Sequence, residues 1–139
     1  MKVTTTSATS TYPVSNFTGE VTTINGTSIT SRGFAYSTSS QAAPGNIPPL
    51  TSGYTSATQE DGTFSTGVFS HAISGLPGAT TIYYRAWALN DNGDYGYGDE
   101  LSFLTSGSMV PGNLAVIGTE LHYIGYDGNE YAIQGTLVP

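Results

Sequence analysis

Apolar and β-branched residues recur along the chain in short alternating runs, separated by clusters of Gly, Asn, Pro and Ser. No stretch of helical length keeps a 3.6-residue apolar period, so the pattern predicts an all-β protein. The strands are expected over residues 3–8, 17–23, 28–37, 64–73, 82–89 and 97–104. Asn25-Gly26 separates the second and third runs and Asn92-Gly93 the fifth and sixth, and both dipeptides are strong hairpin signals. Residues 39–62 hold Pro44, Pro48, Pro49, Gly45 and Gly53 with little periodicity, which predicts a long connection with room for one short edge strand near Tyr54. A loop of that length in a compact domain is either functional or a missed element. The run from Phe64 has a parity conflict. Phe64 and Ile73 fall on opposite faces if alternation is unbroken, and a bulge near Gly67 would restore a common face.

The texture changes at Ser106, where residues 106–112 read as a linker. Short strands are expected beyond it at 114–117, 121–126 and 130–133, with Asp127-Gly128 as the turn between the last two. The chain thus divides into a sandwich over residues 1–105, the linker, and a C-terminal hairpin segment over 113–139. About thirty residues cannot bury a core alone. The apolar residues Leu114, Val116, Leu121, Tyr123, Ile124, Tyr126, Tyr131, Ile133 and Leu137 must therefore be covered by the main domain or by another chain, and they are the candidates for assembly.

Charge narrows the partners. Three basic residues, Lys2, Arg32 and Arg85, stand against 10 acidic ones for a net charge of −7, which leaves nothing to neutralise a row of phosphates and excludes nucleic acid. No apolar run approaches the ~20 residues of a membrane span, so membrane insertion is not expected. The N-terminus Met1-Lys2-Val3-Thr4-Thr5 lacks the apolar core of a secretory signal. Either export does not use that route or the signal lies outside this sequence, although a chain complete from Met1 is the expectation. With no cysteine, disulfides, thiolate metal sites and cysteine nucleophiles are excluded together. Thr, Ser, Asn and Gly supply the polar surface that Lys and Glu usually provide.

Three stretches, Thr18-Gly19-Glu20-Val21, residues 31–38 (SRGFAYST) and residues 75–90 (GLPGATTIYYRAWALN), resemble the fibronectin type III-like modules of bacterial and phage surface proteins. Residues 97–105 (YGDELSFLT) fit the last strand of that module. The resemblance implies a fibronectin type III-like antiparallel sandwich of seven strands. It places Leu76 at a corner, Ile82, Tyr84, Ala86 and Ala88 inward, and Leu101 and Phe103 beside them. The family often has a tyrosine six residues after the corner leucine. Ile82 stands there instead, so the corner hydrogen bond is either missing or supplied by Tyr83. The tail resembles, loosely, the Gly-rich hairpins with a Tyr-Asp-Gly turn near the ends of phage fibre and virion decoration proteins.

Chemistry-bearing clusters are sparse. His71 and His122 have no second histidine or cysteine at ligand spacing, and both read as half-buried strand residues. The pairs Glu60-Asp61 and Asp99-Glu100 are adjacent in sequence and so point to opposite faces, which suits solvated edge charges better than acid/base work. Asp91-Asn92-Gly93-Asp94 is similar to part of a calcium loop but lacks the distal carboxylate, and a turn explains it. The sequons at Asn16 and Asn25 arise easily by chance in a Thr-rich chain. No catalytic residue, metal site or cofactor is assigned.

The outward face of the strand over 82–89 is richer. There Tyr83, Arg85, Trp87 and Leu89 alternate with core residues, and Tyr95 and Tyr97 on the next strand can flank Trp87, the only tryptophan. Flat rings beside a cation suit a protein contact or glycan stacking. Alternatively, the linker or the long connection folds over this face and buries it. The expectation that follows is a non-catalytic structural protein displayed on a surface, most concretely a phage virion component such as a capsid decoration or fibre-base protein. Its partners would be copies of itself, with a homotrimer letting three tails share one core, or other virion proteins. The alternative is a carbohydrate- or protein-binding module of a bacterial cell-surface adhesin or extracellular enzyme.

Overall fold

The structure is a computed structural model describing residues 1–107 and, beyond them, the backbone of three strands at 114–117, 120–124 and 130–132. Strand β1 (Lys2–Thr11) turns back at Tyr12-Pro13 into β2 (Val14–Thr23), and β6 (Gly67–Ser74) pairs with the far side of β2. These three make one sheet in the order β1-β2-β6. At the centre of the second sheet, β3 (Ile29–Ser37) pairs with β7 (Thr81–Asn90). Beyond β3 lie β4 (Ser56–Ala57) and β5 (Glu60–Phe64); beyond β7 lie β8 (Tyr95–Tyr97) and β9 (Leu101–Leu104). Every pairing is antiparallel.

The alternation that announced the strands also fills the space between the sheets. Phe17 and Val21 of β2, Phe69 and Ile73 of β6, Ile29 and Phe34 of β3, and Ile82, Tyr84, Ala86 and Ala88 of β7 form one buried cluster, with Leu76, Leu101 and Phe103 packed against it. Phe17 sits at its centre, its ring centroid 5.5 Å from Phe34, 4.9 Å from Tyr84 and 5.3 Å from Phe103. Burying such a ring is worth about 2–3 kcal/mol, and each edge contact adds roughly 0.5–1.5 kcal/mol. The inward set expected for β7 is therefore observed. Ile82 packs in the core, and Tyr83 makes no side-chain hydrogen bond among the described residues, so no tyrosine corner bond forms.

Several expected elements take a different form. Asn25-Gly26 does not close a hairpin, because β2 and β3 belong to different sheets and the chain crosses between them there. That crossing is tied to the β7–β8 turn: Asn90 Nδ2 and Asn92 Nδ2 each donate to the Asn25 carbonyl at 2.8 Å, and the Thr27 N–H donates to Asp91 Oδ1 at 3.0 Å. Asn92-Gly93 does join paired strands, with Gly93 at φ +87° in the turn. The run over 64–73 is two strands. Strand β5 pairs with β3 in one sheet and β6 with β2 in the other, and the chain changes sheets at Ser65-Thr66, entering β6 at Gly67 with φ +146°. The parity conflict is thus resolved by the change of sheet, not by a bulge. The run over 97–104 is likewise broken at Gly98–Glu100, with both halves paired to β7. The long connection hides a 3₁₀ turn (Pro49–Thr51), β4 and the start of β5.

Beyond the sandwich, β10 (Leu114–Ile117), β11 (Glu120–Ile124) and β12 (Glu130–Ala132) pair in the order β10-β11-β12, so the three short strands expected there form one small antiparallel sheet. Their register sets Leu114 opposite Tyr123, Val116 opposite Leu121, and Tyr123 opposite Tyr131. Ser106, expected to open the linker, is held to β1 by bonds between its N–H and Ser10 Oγ (3.0 Å) and between its Oγ and the Ser10 carbonyl (2.7 Å). Tyr126, Ile133, Leu137, the Asp127-Gly128 turn and residues 108–112 lie outside the described residues.

Candidate functional site

The register of β7 and β8 brings together four of the six residues expected on the aromatic face. Trp87 faces Tyr97 and Leu89 faces Tyr95 across the pair, and the Trp87 and Tyr95 rings lie 6.1 Å apart. Tyr83 sits on the same outward face, half-buried between Ser37 and Ser102, and joins no aromatic pair among the described residues.

The surface is not open. Trp87 is 1% exposed and Arg85 9%, because the connection between β3 and β4 crosses the outward face of the sheet and inserts Tyr54 (3% exposed) beside Trp87 and Ala35. Arg85 and Trp87 are thus covered, while Tyr95 and Tyr97 remain half-buried. The alternative foreseen for this face, burial under the long connection, is the observed arrangement.

Polar bonds fasten that strap along its length. Tyr97 Oη donates to the Ile47 carbonyl at 2.7 Å, the Tyr95 N–H donates to Asn46 Oδ1 at 2.7 Å, and Asn46 Nδ2 donates to Asp94 at 2.9 Å. Trp87 Nε1 donates to the Thr58 carbonyl at 3.2 Å. At the centre, Arg85 donates through Nε to Tyr54 Oη and through Nη1 to the Gly98 carbonyl, both at 2.9 Å. Tyr54 Oη in turn donates to Glu100, which also accepts from Ser40 Oγ and from the Gln41 N–H at 2.9 Å. A buried guanidinium is costly unless its donors are satisfied, and here the phenol relays its charge to a carboxylate.

The ionisation of these groups follows. Burial, reinforced by the hydrogen bond to Glu100, pushes the Tyr54 hydroxyl up to about 12. Burial also raises Tyr97, with Tyr95 nearby adding to the effect. At Glu100 burial opposes the charge, but the bonds from Ser40, Tyr54 and Gln41, with Arg85 close by, outweigh it and hold the carboxyl below its usual range.

A second cluster bridges the two sheets. Glu60 Oε2 accepts from Arg32 Nε at 3.1 Å and from His71 Nε2 at 3.2 Å, while His71 Nδ1 lies 2.7 Å from Thr58 Oγ1. Thr58 Oγ1 also accepts the Phe34 N–H at 3.0 Å, and His71 Nε2 is the donor to Glu60, since a carboxylate can only accept. The hydroxyl, imidazole and carboxylate stand in the order of a nucleophilic relay. However, the hydroxyl is already held as the acceptor of a ladder N–H, the geometry of a structural bridge. The Arg32 guanidinium lies 3.8 Å over the Phe64 ring. The Arg32 bond, then the His71 bond, lowers the Glu60 carboxyl.

Glu100 is therefore a bonded anchor, not the solvated charge its sequence position suggested, whereas Glu60, 43% exposed on the β5 edge, is an edge charge that also bonds Arg32 and His71. Asp91 is occupied as a turn acceptor, and among the described residues no group of three potential ligands is placed to hold a metal. A groove of about 250 Å³ at the end of the sandwich is lined by Tyr36, Ser56, Ser74, Leu76, Pro77 and Ile82, offering hydroxyls and apolar surface. His122 lies on β11, where only the backbone is described.

Tyr54, Gln41, Thr58 and Glu100 are the site residues that sequence reasoning missed. The one signal pointing to them was the aromatic Tyr54 in an otherwise Pro- and Ser-rich connection. No family model, curated protein or solved structure matches the chain.

Proposed function

We propose that this is a non-catalytic structural protein displayed on a surface, most concretely a phage virion component of the capsid-decoration or fibre-base kind. In this reading the sandwich is presented outward and the C-terminal segment anchors or oligomerises it. One observation carries the reading: β10, β11 and β12 pair only with one another among the described residues, while the sandwich closes its core with its own side chains. Leu114, Val116, Leu121, Tyr123 and Tyr131 occupy register positions of one face of that small sheet, and Ile124 lies on the other. Three strands this short need cover to be stable. Copies of the same sheet meeting about a symmetry axis, a trimer being the simplest, would provide it.

The resemblance of residues 3–105 to fibronectin type III-like modules supports the display role, as does the strand order of the two sheets. The alternative reading, a carbohydrate- or protein-binding module, would need the strap to leave Trp87.

Removing residues 108–139 should leave a folded sandwich, with the Trp87 emission of the full chain. It should also reduce the solution mass at micromolar concentration to that of a single chain. A shortened protein that keeps the full chain's association state would refute the assignment.

A further inference from the structure

The sandwich has four strand edges, and three carry features that block pairing with another chain. Strand β1 has Lys2 and two register shifts, and its Thr5 is packed so closely on Gly98 that a Cβ there would lie 2.4 Å from the Thr5 nitrogen. The β4–β5 edge is interrupted at Thr58-Gln59 and carries Glu60 and Asp61. The β8–β9 edge is interrupted at Gly98–Glu100 and carries Asp99.

Strand β6 has none of these. It runs for 8 residues, Gly67–Ser74, without proline, lysine or carboxylate, and its register with β2 is continuous. Among the described residues it pairs with β2 alone. Its outward residues are Val68 (64% exposed), Ser70, Ala72 and Ser74; its one titratable side chain, His71, turns inward to Thr58 and Glu60.

We propose that β6 is a self-association edge at which two copies pair antiparallel about a twofold axis, joining their three-stranded sheets into one of six strands. Charge selects this occupant. In a chain of net charge −7, most contacts between copies bring carboxylates together; β6 carries none, and the Glu60 that bonds its His71 is already paired with Arg32. A twofold axis at Ser70 or His71 also keeps small side chains opposite one another, with Ser70 facing itself or Ala72. Backbone hydrogen bonds and one valine make a small interface, so the pairing is weak in free solution and effective where copies are already held close together. It uses a surface separate from the C-terminal sheet.

The test uses the full chain. Its solution mass should double between micromolar and millimolar concentration, and Ser70→Lys/Ala72→Lys, which sets lysines opposite lysines, should hold the low-concentration mass throughout while keeping the parent's melting temperature. The absence of cysteine permits a second reading: Ser70→Cys/Ala72→Cys should cross-link under oxidation at least about tenfold faster than Thr9→Cys, at another exposed position on β1. A mass that does not rise with concentration, a lysine variant that associates like the parent, or cross-linking no faster than at Thr9 would each overturn the proposal. The last outcome includes an edge covered by the chain's own tail. Loss of association on removing residues 108–139 with no response at β6 would leave the anchoring role standing and remove this one.

Discussion

Tyr54→Phe is the sharpest probe of the strap, because it removes one oxygen and leaves the ring that covers Trp87. That oxygen accepts from Arg85 Nε and donates to Glu100, so the variant breaks two bonds to charged groups. Each such bond is worth about 1.5–3 kcal/mol. Arg85 keeps the Gly98 carbonyl and Glu100 keeps Ser40 and Gln41, which places the net loss at the lower end, about 2–4 kcal/mol. For a domain of this size that corresponds to a fall in Tm of roughly 8–16 °C. Urea unfolding followed by the emission of Trp87, the single tryptophan, reads the change directly. The native spectrum should stay that of a covered indole, since the ring of residue 54 and the Trp87–Thr58 bond both remain. In a cycle with Glu100→Gln the two changes should couple by about 1–2 kcal/mol, because they remove members of one network. A Tyr54→Phe protein within about 0.5 kcal/mol of the parent would show that the hydroxyl does not relay the Arg85 charge, and the account of the strap would fail.

Stability should depend on pH at both ends of the scale. Tyrosine ionises near 10.0 in the unfolded chain and Tyr54 at about 12 in the folded one, so its contribution is complete below pH 10 and is lost as the pH rises through 12. Glu100 is held below its ordinary 4.5, so its contribution is present above that value and lost as the pH falls through the folded one. Unfolding curves across the range should show both limbs, with the alkaline limb flattened in Tyr54→Phe; an unchanged limb would contradict the assignment. Gly33→Ala would set a Cβ 2.0 Å from the Thr58 carbonyl oxygen and force the β4–β5 segment, whose Thr58 carbonyl accepts from Trp87, off β3, at a cost of about 3 kcal/mol and with a red shift of Trp87 emission, whereas Gly45→Ala, with no neighbour within 4 Å, should be neutral in both respects.

The sheets were legible in the sequence because alternation is a local property, set by which side chains a strand turns toward the core. The inward set of β7, from Ile82 to Ala88, was an implication of the family resemblance, and alternation along a strand agrees with it. Sheet membership could not. Asn25-Gly26 carries hairpin chemistry, yet the strand that pairs with β3 is β7, and only the fold decides that β2 and β3 lie in different layers. The parity conflict between Phe64 and Ile73 was a real signal read with too small a remedy. A face reversal within one run can mean an extra residue or a change of layer, and local pattern does not separate the two.

The site was harder to read, for a reason that Arg85 makes plain. Its outward position between Tyr83 and Trp87 on a strand suggests a cation beside exposed rings, and that inference is sound for a chain with many surface charges. This chain has only three basic residues, and two of them, Arg32 and Arg85, are used as internal fasteners. The partners of Arg85 come from Tyr54, Gly98 and Gln41, separated from it by 31, 13 and 44 positions, so no window of sequence contains the bonds that decide its role. The two arginines do the same work in different places. Arg32 holds the β5 edge through Glu60, which His71 ties to β6, and Arg85 holds the strap through Tyr54 and Glu100. A sandwich without disulfides thus secures its long connection with two charged networks, and each uses a glutamate that looks, in the sequence, like an ordinary surface charge.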